Sequence, residues 1–252
     1  MSNQQRGVFV FKAIALGVLL MFGSGCATTG SDPEKDPVEP MNRVFFNVNE
    51  NLDKYLMKPV AQGYQKITPK PVRSSVTNFF DNLFYPNVIL NDFLQAKFKQ
   101  GFRDFARLFV NTTIGIGGLF DPATPAGLLR HQEDLGQTFA TWGMGQGPYL
   151  VIPLLGPSTA RDVTDLAPRT FLSPLFYIES AAIYGVGALN VINERANLLE
   201  ATEIRDEAAL DSYTFTREAF LQRRKDLIYD GNPPAEEFED FFEEGTDADL
   251  VE

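Results

Sequence analysis

Residues Asn111–Asp162, NTTIGIGGLFDPATPAGLLRHQEDLGQTFATWGMGQGPYLVIPLLGPSTARD, constrain this chain most. About a fifth of the protein is crowded there with Gly and Pro, between Phe- and Leu-rich helical segments. A solvated linker would be polar and poor in aromatics, whereas this stretch keeps apolar runs at Ile114–Phe120 and Tyr149–Leu155. Glycines beside apolar side chains imply backbone held close to other backbone or to a ligand. The stretch is therefore expected to be the functional centre.

The flanks read as helices. Phe45, Val48, Leu52, Tyr55 and Leu56 share one face of Asn42–Leu56, with Asn42, Asn49, Glu50 and Asp53 opposite and Pro59 expected to end it. Val72, Val76, Phe79, Phe80 and Leu83 form a second stripe, with Pro86 expected to kink or break that helix before Val88–Phe98. Phe102, Phe105, Ala106, Phe109 and Val110 form a third, with Arg103 and Arg107 opposite. Pro174–Ile192 is the most apolar stretch after Cys26, readable as a buried helix or as one touching lipid. Glu203–Tyr229 reads as one long helix with Arg217, Arg223, Arg224 and Lys225 toward its C-terminal half. The expected class is mostly α, five or six amphipathic helices about a Gly/Pro-rich centre. Periodicity alone leaves open whether the stripes face one another or a membrane.

Of the net charge of -11, most belongs to Asp230–Glu252, which holds acids and no Lys or Arg; no basic run points to nucleic acid. At the other end, Arg6 and Lys12 precede an apolar run Ala13–Phe22 and then Gly23-Ser-Gly-Cys26. That order is a lipoprotein signal, with cleavage before Cys26 and lipid on its thiol and new amino group. Residues 1–25 are thus expected as signal, 26–40 as tether, 41–229 as the helical domain and 230–252 as an acidic tail.

No catalytic constellation assembles. His131 is the one His, Ser158 in Gly-Pro-Ser-Thr lacks a G-x-S-x-G elbow, and Gly115-Ile-Gly-Gly118 has no Lys-Ser/Thr after it. Metal-ligand spacing is also missing. The expectation is no enzyme, no metal and no cofactor beyond the covalent lipid.

Ordered motifs between Asp36 and Arg224 resemble the MlaA (VacJ) lipoproteins. They include Asp36-Pro-Val-Glu-Pro-Met-Asn-Arg43, Asn78-Phe-Phe-Asp-Asn-Leu83, Arg107-Leu-Phe-Val-Asn111 and Gly115-Ile-Gly-Gly118. Glu133-Asp-Leu-Gly-Gln137, Gly145-Gln-Gly-Pro-Tyr149, Pro153-Leu-Leu-Gly-Pro-Ser158, Arg161-Asp162 and Ala209-Leu-Asp-Ser-Tyr213 continue the series. The resemblance implies a bacterial outer-membrane lipoprotein at the periplasmic face: a ring-like bundle of amphipathic helices in the inner leaflet around an amphipathic channel. It also implies phospholipids as cargo, a trimeric porin as neighbour and a soluble periplasmic carrier as recipient. The channel is expected from Asn111–Ser158 plus the Asn47–Asn51 end of the first helix, with Asn47, Asn49, Gly115, Gly117, Gly118, Gly143, Gly145, Gly147, Tyr149 and Pro153 as candidate lining. The rival expectation is a porin-associated scaffold with no lipid path; a periplasmic lipid hydrolase using Ser158 or His131 is the weaker third.

Overall fold

The computed structural model describes residues 36–234. Cys26, the expected signal and most of the expected tether and acidic tail lie outside them. The described residues from Val38 onward form one unit, and its regular structure is almost wholly helical.

Helix α1 (Glu39–Leu52) runs without a stop through a π turn (Asp53–Met57) into α2 (Lys58–Ile67). Pro59 was expected to end it and does not. A proline has no N–H, and its ring would press on the Tyr55 carbonyl in a regular α-helix. The wider turn just before it, where the Lys58 N–H reaches the Asp53 carbonyl, lets the chain continue. Helix α3 (Lys70–Leu94) likewise carries Pro86 inside one continuous helix, correcting the expected break. A tight turn follows, in which the Lys97 N–H reaches the Asp92 carbonyl at 2.9 Å and Ala96 takes a left-handed φ of 59°. It folds α4 (Phe98–Thr113) back on α3. The pair packs closely at Gly101, where a Cβ would stand 3.1 Å from the Phe93 ring.

The central segment is not featureless. After α5 (Leu135–Thr141) it forms an antiparallel hairpin, β1 (Tyr149–Ile152) with β2 (Gly156–Thr159), in the register Tyr149–Thr159 and Ile152–Gly156. Helix α6 (Leu166–Phe171) follows. Pro174–Ile192 is a 3₁₀ turn (Pro174–Tyr177), a break, and the start of α7 (Ala182–Asn197). The expected long helix Glu203–Tyr229 is two, α8 (Leu199–Ala208) and α9 (Ser212–Ile228). Asp211 starts the second by accepting from the Tyr213 N–H at 3.0 Å, as a cap does.

Polarity is inverted relative to a water-soluble bundle. On α4, Phe98, Phe102, Phe105 and Phe109 are 57–67% exposed, while Asp104, Arg107 and Asn111 are buried. Val48, Tyr55 and Leu56 also point outward, as do Tyr184 and Val191 on α7. Inside lie Asn42, Asn91, Asp92, Gln137, Thr138 and Asn193. The stripe of α4 therefore turns away from the interior, whereas Phe80 of α3 and Phe45 of α1 turn toward it. Among the described residues the buried apolar cluster is small, Tyr149, Val151 and Tyr213 with Phe45, Phe46, Phe220 and Leu221 against it. Among the described residues no helix is long and apolar enough to cross a membrane.

Candidate functional site

The polar interior is held by side-chain clamps. From α1, Asn42 Nδ2 donates to the Tyr149 carbonyl at 2.9 Å while the Val151 N–H donates to Asn42 Oδ1 at 2.9 Å. Two turns on, Asn49 repeats the device on the hairpin tip, donating to the Ile152 carbonyl at 3.0 Å and accepting from the Leu154 N–H at 2.8 Å. An amide on a helix thus substitutes for a neighbouring strand and satisfies the hairpin's edge.

A second clamp closes the loop after α4. Arg107 Nη2 pairs with Asp121 Oδ2 at 2.7 Å, and Asn111 Nδ2 donates to Asp121 Oδ1 at 3.0 Å. The Thr124 hydroxyl adds a bond at 2.6 Å. Burial alone would raise the Asp121 pKa; these hydrogen bonds outweigh it and bring it down to about 2.

The third clamp explains the run Glu133–Gln137. Glu133 is buried and accepts from Gln95 Nε2 and from Lys97 Nζ and Gln100 Nε2, each at 2.8 Å. Asp134 caps α5 through the Gln137 N–H at 2.9 Å and pairs with Arg224 Nη1 at 2.5 Å. Arg224 Nη2 also reaches Asp162 Oδ1 at 2.7 Å. A Cβ on Gly136 would stand 2.3 Å from Asp162 Oδ1, so only glycine admits that pair. The position of Arg224 near a helix end suits the helix dipole, but its place in the fold is a buried double ion pair that helical periodicity does not signal. The signal was present in the matched Asp134 and Asp162.

Two cavities open between these clamps. The smaller, about 200 Å³, is polar, edged by Asn78, Asn82, Asn111 and Asp121. The larger, about 370 Å³, draws on α3, the 130–137 segment, α6, α7 and α9. Asp81, Tyr85 and Arg130 line both. The larger is amphipathic: Phe84, Val88, Phe220 and Leu227 give it an apolar side, and charged residues of both signs give it a polar one. His131 stands on its wall with Nδ1 2.9 Å from Asp104 Oδ2. Asp104 also accepts from the Tyr85 hydroxyl at 2.9 Å. Asp92 is buried in the same interior; burial, reinforced by the nearby Asp104 carboxyl, pushes its pKa up to about 8.

The residues expected to line a channel are spread around this interior, and none of them edges either cavity. Asn47 is exposed on α1, its carbonyl accepting from Asn51 at 2.8 Å, and Asn49 holds the hairpin. Gly115 and Gly118 are buried in the turn after α4, where a Cβ on Gly115 would lie 2.3 Å from the Asn111 carbonyl oxygen. One on Gly118, at φ +89°, would lie 2.4 Å from the Asn82 side chain. Gly117, Gly143 and Gly145 face open space, and Gly147 lies close to Ala160. Tyr149 is buried in β1, and Pro153 is exposed at the hairpin tip. Ser158 is half-buried on β2, its hydroxyl within 3.4 Å of the Thr159 carbonyl.

Apolar outside, polar within, and hollowed by an amphipathic cavity, the fold defines an inverted helical protein with its hydrogen bonds and ion pairs inside. The chain belongs to the MlaA lipoprotein family, whose family model matches residues 34–227. It is 36% identical over 242 residues to the intermembrane phospholipid transport system lipoprotein MlaA of Escherichia coli K12, covering 91% of this chain and 95% of that protein. The protein of the same name from Haemophilus influenzae is 29% identical over 220 residues, covering 82% and 86%. A solved structure from work on the structural basis for maintenance of bacterial outer membrane lipid asymmetry superposes with a TM-score of 0.68 at 33% identity. It covers 79% of this chain and all of that one.

Proposed function

We propose that this protein is an outer-membrane lipoprotein of phospholipid transport. It removes mislocalised phospholipid from the outer leaflet through an amphipathic passage and hands it to a periplasmic carrier, so that lipid asymmetry is kept. Lipid on Cys26 anchors it at the periplasmic face beside a porin trimer, and the Phe face of α4 lies in the inner leaflet. No catalytic step and no cofactor are involved. The observation that carries this reading is α4, with four phenylalanines outward and Asp104, Arg107 and Asn111 buried. Such an arrangement is stable where the surroundings are apolar and the interior polar groups are mutually satisfied.

The energetics fit a passive route. At about 0.8 kcal/mol per CH₂, baring both acyl chains of a phospholipid to water costs on the order of 20 kcal/mol. With no nucleotide motif, the protein can supply only an apolar path for the chains beside a polar path for the headgroup. The cavity with Phe84, Val88, Phe220 and Leu227 on one side and charges on the other offers both.

The test is complementation of a deletion strain, read as phospholipid exposed at the cell surface. Val88→Trp, which fills the cavity, should fold and insert yet leave surface phospholipid as high as in the deletion strain. A Val88→Trp protein that complements like the parent would favour the scaffold reading and overturn the passage.

A further inference from the structure

The polar wall of the larger cavity shows which charges are spoken for. Arg130 pairs with Asp81 at 2.8 Å, and Arg224 with Asp134 and Asp162. Asp165 accepts from Asn87 Nδ2 and the Leu135 N–H, each at 2.9 Å, and Glu133 is taken by Lys97, Gln95 and Gln100. Three charges remain. Among the described residues, Arg169, Arg223 and Glu194 line this cavity from its exposed rim and have no ion-pair partner within 4 Å, although Arg169 attracts the Asp165 carboxylate through space and Glu194 opposes that of Asp81. The Arg169 guanidinium lies 4.9 Å above the Phe84 ring, on the apolar side. Arg223 donates only to the Gln132 side-chain carbonyl, at 3.2 Å. Glu194 reaches the same cavity from α7.

Two unpaired guanidiniums and one unpaired carboxylate bordering an amphipathic hollow match a zwitterion. Guanidinium presents a planar fork of donors suited to phosphate. A carboxylate is acceptor-only and suits an ammonium. An acidic headgroup with no cation would meet Glu194 and four further carboxylates on the same wall. We propose that this cavity selects the aminophospholipid headgroup, its phosphate held by Arg169 and Arg223 and its ammonium by Glu194. The inference rests on the lipid-passage reading above and adds a headgroup class to it.

The experiment equilibrates the purified full-length lipoprotein with detergent micelles of equal phosphatidylethanolamine and phosphatidylglycerol, then measures bound lipid by mass spectrometry. The parent should hold at least a several-fold excess of phosphatidylethanolamine. Glu194→Lys should reverse that excess, Glu194→Gln should abolish it, and Arg169→Ala with Arg223→Ala should lower total bound lipid several-fold. Circular dichroism certifies folding, and the Gln variant, isosteric with Glu, carries the test if Lys disturbs α7. A bound-lipid ratio unchanged in a folded Glu194→Gln protein would overturn the headgroup assignment while leaving the passage intact. No lipid in the parent would overturn both. Glycerophosphoethanolamine, the same headgroup without chains, should compete far more weakly than the lipid; equal competition would assign the cavity to a free phosphate ester instead.

Discussion

Asn42 Nδ2 stands 2.9 Å from the Tyr149 carbonyl oxygen, joining the first helix to a strand 107 residues away. Its own oxygen takes the Val151 N–H, so one amide satisfies two backbone groups of β1. Asn42→Ala would strand both in a buried place. The expected destabilisation is about 2–4 kcal/mol, read as a lowered denaturation midpoint in detergent. Asn42→Asp should do no better, because it removes the donor and sets a charge against a carbonyl.

The outward phenylalanines should contribute to membrane binding and not to folding. Phe105→Ser should leave the thermal transition in detergent within about 0.5 kcal/mol of the parent, as for other surface substitutions. In a Cys26→Ala background, which removes the lipid anchor, the same change should weaken vesicle binding by about 2 kcal/mol, roughly 30-fold. Vesicle flotation measures it. A loss of stability with unchanged flotation would place the ring in the protein interior instead.

Two carboxyls, Asp92 buried and Asp121 half-buried, should act oppositely with pH. Asp121 has a pKa lowered to about 2, so its stabilisation is complete above about pH 4 and is lost as pH falls toward 2. Asp92 is raised from 3.8 to about 8, so the folded protein binds a proton that the unfolded chain has released. Stability from this group therefore falls as pH rises from about 4 to 8. Asp92→Asn, which carries no charge to bury, should gain on the parent across that window. Denaturation midpoints at pH 5 and pH 8 decide it, the gain being larger at pH 8.

Glycines of the central segment should separate by surroundings. Gly118→Ala meets the Asn82 side chain at 2.4 Å and needs a φ of +89°, so a loss of about 2 kcal/mol or more is expected. A Cβ on Gly145 meets nothing within 4 Å and needs no left-handed φ, so Gly145→Trp, whose ring can turn to solvent, should fold. Because Gly145 edges neither cavity, folded Gly145→Trp protein should co-purify with as much phospholipid as the parent, whereas Val88→Trp protein should carry less, with mass spectrometry of bound lipid as the measure.

The helices were legible because their stripes repeat with a helical period, as Phe102, Phe105 and Phe109 do. Their direction was not legible. Periodicity marks a face, and only the medium decides whether that face turns in or out. Pro59 and Pro86 misled for a related reason: a proline is a local signal, and at Pro59 a π turn accommodates it, while α3 continues through Pro86. The hairpin was hidden because its strands are four residues each and one carries Pro157. Close backbone approach at Gly115 was readable from glycines beside apolar residues; the Asn82 side chain seated on Gly118 was not. The larger cavity was not, since its walls come from five segments between Asp81 and Leu227 that meet only when folded.

The outward phenylalanines of α4 also bear on heat. Exposure of apolar surface is what gives unfolding its large positive heat capacity, and exposure of polar surface subtracts from it. A chain that keeps its rings outside and its amides and carboxyls within has little of the first to expose and much of the second. Its stability curve should therefore be shallow, nearly level across the temperatures at which a soluble protein of this length passes through a pronounced maximum.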